Sequence, residues 1–288
     1  MRLNLIKIYL TQIRIVQWLK NLLIFLPIII IAGINAINST IVYVFLSFSF
    51  LASSFYCLND LKDFKQDRNH SLKKNRPFAS GKISKIELYF LILLSFVLSI
   101  IFYLKSGIQD TYKLYILYIF LNFLYNFIIK KIKYLDIIFL VSFYYIRIAI
   151  GESVYSMQLS YWVIIAIIIF LIQLSIMKRY YEILKITSKS YKFKNYSILD
   201  LKTFNNITII NILIFLSLNL FYIQSTDSRF LNIGIEKFLI LETLCCYLLY
   251  NIFILIKNKK NHKDFFELAI GNKNNWTVVI IIILLYFT

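Results

Sequence analysis

Residues 41–58 read IVYVFLSFSFLASSFYCL and run without a break into Asn59-Asp60-Leu61-Lys62-Asp63-Phe64-Lys65-Gln66-Asp67-Arg68-Asn69-His70. The first part is apolar and long enough for a membrane-spanning helix. The second is dense in charge. Read as one continuing helix, Asn59, Asp60, Asp63 and Asp67 fall at i, i+1, i+4 and i+8, which stacks the carboxylates on one face over about two turns. Carboxylates so close repel one another. A divalent cation relieves the repulsion, and Mg²⁺, which prefers oxygen ligands, keeps several waters and is commonly shared with a phosphate, suits such a face. The alternative is a solvated acidic helix end. Against it stands the scarcity of acids, 14 Asp and Glu beside 32 Lys and Arg, with several of the few gathered at one membrane boundary.

The rest of the chain carries further apolar runs of this kind. Of 288 residues 60% are hydrophobic, with two prolines and a mean hydropathy of +0.72. A soluble domain does not carry that much apolar sequence, and repeated runs of about 20 apolar residues indicate spanning helices. Helices satisfy their backbone polar groups within the span, as lipid requires. The expected fold is an all-α integral membrane protein, a single polytopic domain over 1–288. Nine spans are expected, near 21–37, 40–58, 86–104, 112–130, 135–153, 160–177, 205–224, 236–256 and 275–288. Residues 1–20, with Arg2, Lys7, Arg14 and Lys20 among Ile, Leu, Val and Trp18, read as an amphipathic helix lying in the membrane surface.

The net charge of +18 alternates along the connectors. The N-terminal segment, 59–85, the turn with Lys130, Lys131 and Lys133, 178–204 and 257–274 are basic, whereas Ala36–Ser39 and Ser153–Ser160 hold no charge. Lys and Arg accumulate on the cytoplasmic side. The alternation places the N-terminus, the acidic motif and the long loops 59–85 and 178–204 in the cytoplasm, in a multi-pass protein of the plasma (inner) membrane. Nucleic acid is an unsuited partner, because the basic loops are short and tied to membrane ends. Cys57, Cys245 and Cys246 form neither a disulfide framework nor metal-type spacing.

Arg147 interrupts the apolar run Ile137–Ile150, and a charge at that depth costs several kcal/mol unless paired or facing a wet cavity. It reads as an anion ligand or the partner of an acid, or else as a snorkelling side chain. Asp136, eleven residues earlier, falls on about the same helical face. Lys178, Arg179 and Glu182 open the loop after the sixth span, either as a surface ion pair or as a phosphate clamp with Arg179 bidentate on phosphate oxygens. Lys73, Lys74 and Arg76, just before Pro77, read as a solvated face or as a second phosphate site.

Asn59-Asp60-x-x-Asp63-x-x-x-Asp67 resembles the first aspartate-rich motif of the UbiA superfamily of intramembrane prenyltransferases. Arg14-x-x-Gln17-Trp18-x-Lys20-Asn21, Phe25, Pro27 and Asp67-Arg68-x-His70-x-x-Lys73-Lys74-x-Arg76-Pro77-x-Ala79-Ser80-Gly81 resemble its decaprenyl-phosphate phosphoribosyltransferase branch. Tyr125 with Lys130, Leu135-Asp136, Arg147 with Gly151, Lys178-Arg179-x-x-Glu182 and a weaker Asp264-x-x-Glu267-Leu268 follow in the same order. The resemblance implies a nine-helix bundle with a cavity facing the cytoplasm. It also implies transfer of 5-phosphoribose from phosphoribosyl pyrophosphate to a polyprenyl phosphate, with pyrophosphate released.

On that reading Asp60, Asp63 and Asp67, helped by Asn59, hold Mg²⁺ against the donor pyrophosphate. Arg68, Lys74, Arg76, Lys178, Arg179 and Glu182 serve the substrate phosphates, and Lys20, Lys130 and Arg147 receive the lipid phosphate. The partners are phosphoribosyl pyrophosphate, a polyprenyl phosphate and membrane lipids, and the sequence is compatible with a homo-oligomer. Transfer of a prenyl group from a prenyl diphosphate to an aromatic acceptor is the competing enzyme. It needs a second acidic motif near the sixth and seventh spans, where 178–200 offers only Glu182 and Asp200. A lipid transporter is the competing non-enzyme, and it would place ionisable residues midway along several spans.

Overall fold

A computed structural model of the 288-residue chain describes residues 2–69, 73–184, 196–224, 235–258 and 265–287. Its described elements are helices: α1 (Arg2–Gln12), α2 (Leu26–Ala32), α3 (Ser39–Lys62), α4 (Phe64–Asn69), α5 (Lys85–Ser106), α6 (Tyr112–Phe127), α7 (Leu135–Val154), α8 (Tyr161–Leu184), α9 (Asp200–Gln224), α10 (Ile235–Asn258), α11 (Phe265–Ile270) and α12 (Lys273–Phe287), with short 3₁₀ segments between some of them. Among the described residues seven helical stretches are long and apolar enough to cross a membrane. Helices α6 and α12, at the expected spans 112–130 and 275–288, have only 16 and 15 residues. At 1.5 Å per residue they cover roughly 24 and 22 Å of a hydrocarbon core about 30 Å thick. The chain divides into two compact units, one of 1–127 with 143–158 and one of 128–142 with 159–288.

In the first unit the first helix stops earlier than the expected residue 20. Helix α1 ends at Gln12, Arg14 adopts a left-handed conformation (φ 56°, ψ 50°), and an eleven-residue 3₁₀ stretch, Ile15–Phe25, follows. Runs of 3₁₀ helix beyond three or four residues are uncommon. This one leads to Pro27, placed in the first turn of α2 where its missing N–H costs nothing. Gly33 (φ 79°) ends α2 and the Asn38 side chain caps α3 through Ile41 N.

Small residues let α3 and α5 approach closely. Ser47 donates to the Ser99 carbonyl at 2.8 Å, and Ser47, Ala52, Ser95 and Ser99 are buried. A capping box of Ser84 and Glu87 starts α5, and Gly107 (φ 70°) ends it. Tyr9 of α1 donates to Glu87 at 2.6 Å, and that bond raises the phenol above its ordinary pKa. The outward side of α5 exposes Phe90, Leu93, Phe96 and Leu104, a surface suited to lipid. The core gathers Ile24, Ile28, Val44, Phe48, Leu51, Tyr118 and Ile150.

In the second unit Tyr181, Ile183, Tyr196, Phe204, Leu249 and Ile256 form the core. Asn275 of α12 accepts from Asn251 of α10 at 2.7 Å and donates to the Ala269 carbonyl at 2.6 Å, interhelical polar bonds of the kind that hold membrane bundles. Helix α8 runs to Leu184 and α9 starts at Asp200. Lys178, Arg179 and Glu182 therefore sit on the last turns of a helix rather than opening a loop, because the apolar side through Met177, Tyr180, Tyr181 and Ile183 keeps burying itself. The Ser197 backbone and hydroxyl both donate to Asp200 Oδ2, at 2.8 and 3.3 Å, fixing the entry to α9.

One position in the first unit tolerates no side chain. A Cβ added at Gly151 would stand 2.1 Å from the Ile24 carbonyl oxygen and 3.0 Å from Pro27 Cδ. Gly151→Ala should cost at least about 1–3 kcal/mol as an overpacked contact against backbone. A thermal melt in detergent should show a midpoint several degrees lower.

Candidate functional site

The acidic motif sits where α3 gives way to α4. Asp63 takes φ −88° and ψ 6°, yet its N–H reaches the Asn59 carbonyl at 2.9 Å, and the Asp67 N–H reaches the Asp63 carbonyl at 2.8 Å. Helical bonding thus carries across the joint. Asp60 and Asp67, seven residues or about two turns apart, share one side. Both are buried, while Asn59 and Asp63 are half-buried.

The two buried carboxylates converge on one nitrogen. Arg76 Nη1 lies 3.1 Å from Asp60 Oδ1 and 2.6 Å from Asp67 Oδ2. Arg14 also donates to Asp60 Oδ1, and Lys73 Nζ stands 3.7 Å from Asp67 Oδ1. Gln12, itself buried, donates to Asp60 Oδ2 at 3.0 Å and accepts from the Phe78 N–H at 3.1 Å. It thereby ties the motif to the loop that carries Arg76-Pro77. Among the described residues no group of three His, Cys, Asp or Glu is placed to hold a metal ion. Two carboxylate oxygens facing one cationic point do fit Mg²⁺ if water and substrate phosphate supply the other ligands.

The other expected residues of this unit have the following surroundings. Arg68 is exposed with its guanidinium 5.1 Å from the Phe64 ring, Lys74 is exposed and Lys20 is half-buried. Arg147 is buried. Its Nε donates to Asn21 Oδ1 at 2.7 Å, its Nη1 donates to the Phe143 carbonyl, and its guanidinium lies 5.1 Å from the Phe48 ring. Asn21 in turn donates to Ser49 at 2.9 Å. Arg147 is thus met by an amide, a carbonyl and rings.

The second unit holds a separate charged seam. Arg179 and Asp136 are both fully buried, with Nε 2.5 Å from Oδ2 in an ion pair held by charge more than by an aligned hydrogen bond. Arg179 also pairs with Glu182. Tyr196 donates to Asp136 Oδ1 at 2.7 Å and accepts from the Tyr134 N–H at 2.7 Å, Tyr134 being left-handed at φ 66°. Burial first, and then the bond to Asp136, push the Tyr196 phenol up, so it keeps its proton and remains the donor. Lys133 Nζ pairs with Asp200 Oδ1 at 2.5 Å, a bond that raises the lysine above its ordinary pKa. Lys178 and Lys130 are half-buried. His70, Asp264 and the Glu267 side chain lie outside the described residues.

Sequence reasoning missed Gln12, Lys133 and Tyr196, and it assigned Arg14 to the membrane surface. Arg14 lay within the quoted N-terminal signature, which was its only signal. Asp136 is expected on about the same helical face as Arg147; its ion-pair partner is Arg179 of α8.

Apolar helices, buried acids and the bases that hold them define an all-helical, multi-pass membrane protein. A sequence model of the UbiA prenyltransferase family matches residues 21–265. The chain belongs to that family of membrane transferases. It is 30% identical over 193 residues to the uncharacterized protein y4nM of Sinorhizobium fredii, a match covering 64% of this chain and 36% of the relative. It is 29% identical over 193 residues to the decaprenyl-phosphate phosphoribosyltransferase of Mycolicibacterium smegmatis, covering 62% of this chain and 58% of the relative. Both matches span less than two thirds of the relative's own length. A solved UbiA homologue from Archaeoglobus fulgidus, bound to DMAPP and Mg²⁺, shares the fold with a TM-score of 0.70 and 18% identity over 97% of each chain.

Two substitutions separate the roles of these contacts. Gln12→Leu leaves Asp60 Oδ2 and the Phe78 N–H short of a partner and should cost about 1–3 kcal/mol. Arg179→Met strands a buried Asp136 and should cost more, about 3–5 kcal/mol. Denaturation in mixed micelles should rank them in that order.

Proposed function

We propose that this chain transfers 5-phosphoribose from phosphoribosyl pyrophosphate to a polyprenyl phosphate in the plasma (inner) membrane. The proposal includes nine spans, a cytoplasmic N-terminus and an active site opening to the cytoplasm. The observation that carries it is the pair Asp60 and Asp67, buried and facing one cationic point beneath Arg14, Arg76 and Lys73. One acidic seat ringed by bases suits a donor that bears a pyrophosphate and a separate 5-phosphate. A bound Mg²⁺ would neutralise charge growing on the departing pyrophosphate.

Asp60 and Asp67 supply the oxygens of that seat, with Asp63 and Asn59 on the same stretch as further donors. Arg76 and Lys73 would bind phosphate oxygens. The lipid phosphate attacks the anomeric carbon: its oxygen forms the new bond, the bond to pyrophosphate breaks, and the electron pair leaves with pyrophosphate. An anionic phosphate oxygen needs no general base. Lys20, Lys130, Lys178 and Arg68 remain proposed phosphate contacts. Likeness to a relative named decaprenyl-phosphate phosphoribosyltransferase supports this substrate class.

Prenyl transfer from a prenyl diphosphate is the second reading, favoured by the family as a whole. It calls for a second acidic patch, and the two carboxylates of 178–200 among the described residues are Glu182, paired with Arg179, and Asp200, paired with Lys133. Membranes carrying the chain should move label from phosphoribosyl pyrophosphate into lipid in the presence of Mg²⁺. Asp60→Asn and Asp67→Asn should each lower the rate by about 10²-fold or more, the usual scale for losing one electrostatic stabiliser. Label entering lipid only from a prenyl diphosphate would decide for the second reading.

A further inference from the structure

We propose that the Arg76 guanidinium holds the place a divalent cation takes between Asp60 and Asp67, and that it yields this place only when a diphosphate arrives with the ion. The idea rests on the metal–diphosphate reading above and adds an order of binding to it. Its first support is the shared nitrogen: both carboxylates are within ion-pair distance of Arg76 Nη1, so a cation already bridges them.

The second support is which groups cover which. Asp60 and Asp67 side chains are 4% and 3% exposed, while Arg14, Lys73 and Arg76 are 22%, 33% and 28% exposed. The bases form the open side and the acids lie beneath them. An ion coming from solvent meets positive charge first. Two acids already meet three bases, so the cluster has no negative charge left unmet before any ion enters. A lone divalent ion adds two charges and frees an arginine among like charges. A diphosphate entering with it supplies the missing anion and gives the freed fork a bidentate partner.

The third support is mechanical. The Arg76 backbone is pinned: its N–H bonds to the Lys73 carbonyl at 3.0 Å, its carbonyl accepts from the Ser80 N–H at 2.8 Å, and the next backbone N–H, at Phe78, donates to Gln12 at 3.1 Å. Only the side chain has to swing, and the loop stays where it is.

The test is equilibrium dialysis of purified protein in detergent against Mn²⁺, another divalent ion suited to oxygen ligands, with and without inorganic pyrophosphate. In the unsubstituted protein, Mn²⁺ retained above the dialysate should be weak alone and rise about tenfold or more with pyrophosphate, the effect of a seat that is rarely vacant. Arg76→Gln should retain Mn²⁺ without pyrophosphate about tenfold more tightly than the unsubstituted protein, and Asp67→Asn should abolish retention in both. Equal retention with and without pyrophosphate in the unsubstituted protein, sensitive to Asp67→Asn, would overturn the order of binding and leave the metal reading standing. No retention under any condition would overturn both. The unsubstituted arm decides the question even if Arg76→Gln does not fold.

Discussion

Two carboxylates sunk below the surface cannot remain charged without a cation pressed against them, and that constraint organises the first unit. The cost of stripping water from Asp60 and Asp67 is several kcal/mol each before compensation. Compensation comes from three directions: Arg14 from the chain before the first span, Arg76 and Lys73 from the loop after α4, and the neutral amide of Gln12. Each partner drags its own segment with it. The end of α1, the joint of α3 and α4, and the Pro77–Gly81 turn are thereby fastened together at one point.

The same logic recurs in the second unit with a different outcome. Arg179 is spent between Asp136 and Glu182, and Tyr196 completes Asp136. Here burial is complete on both sides of the ion pair, and breaking one partner is expected to be far worse than removing both. Arg147 shows a third solution: a buried cation met by an amide, a carbonyl and aromatic faces, with Asn21 relaying the bond to Ser49. Lone charges in apolar runs mark such sites in a sequence, but they do not say which solution is used.

What could be read from the chain follows from the range of the signal. The run 41–58 with its acids, the basic loops and the spans now seen as α3, α5, α7, α8, α9 and α10 carry local patterns of length, hydropathy and spacing. The joint at Arg14 carries none: a left-handed arginine inside an amphipathic stretch looks like any other surface base. The length of α8 was underestimated because Lys178, Arg179 and Glu182 look like a loop, although Arg179 turns inward and is fully buried. Pairings across 46 residues, as between Arg14 and Asp60, leave no periodic trace at all.

The bend at Arg14 has a consequence of its own. Holding a side-chain-bearing residue at a positive φ costs roughly 1–2 kcal/mol, and the grip of Asp60 offsets it. One carboxylate therefore pins the bend as well as facing the proposed cation seat. Glycine at position 14 would keep the bend and drop the charge, whereas asparagine at position 60 would drop the charge and let the bend relax, so the two jobs are separable by choosing which end of the same contact to edit.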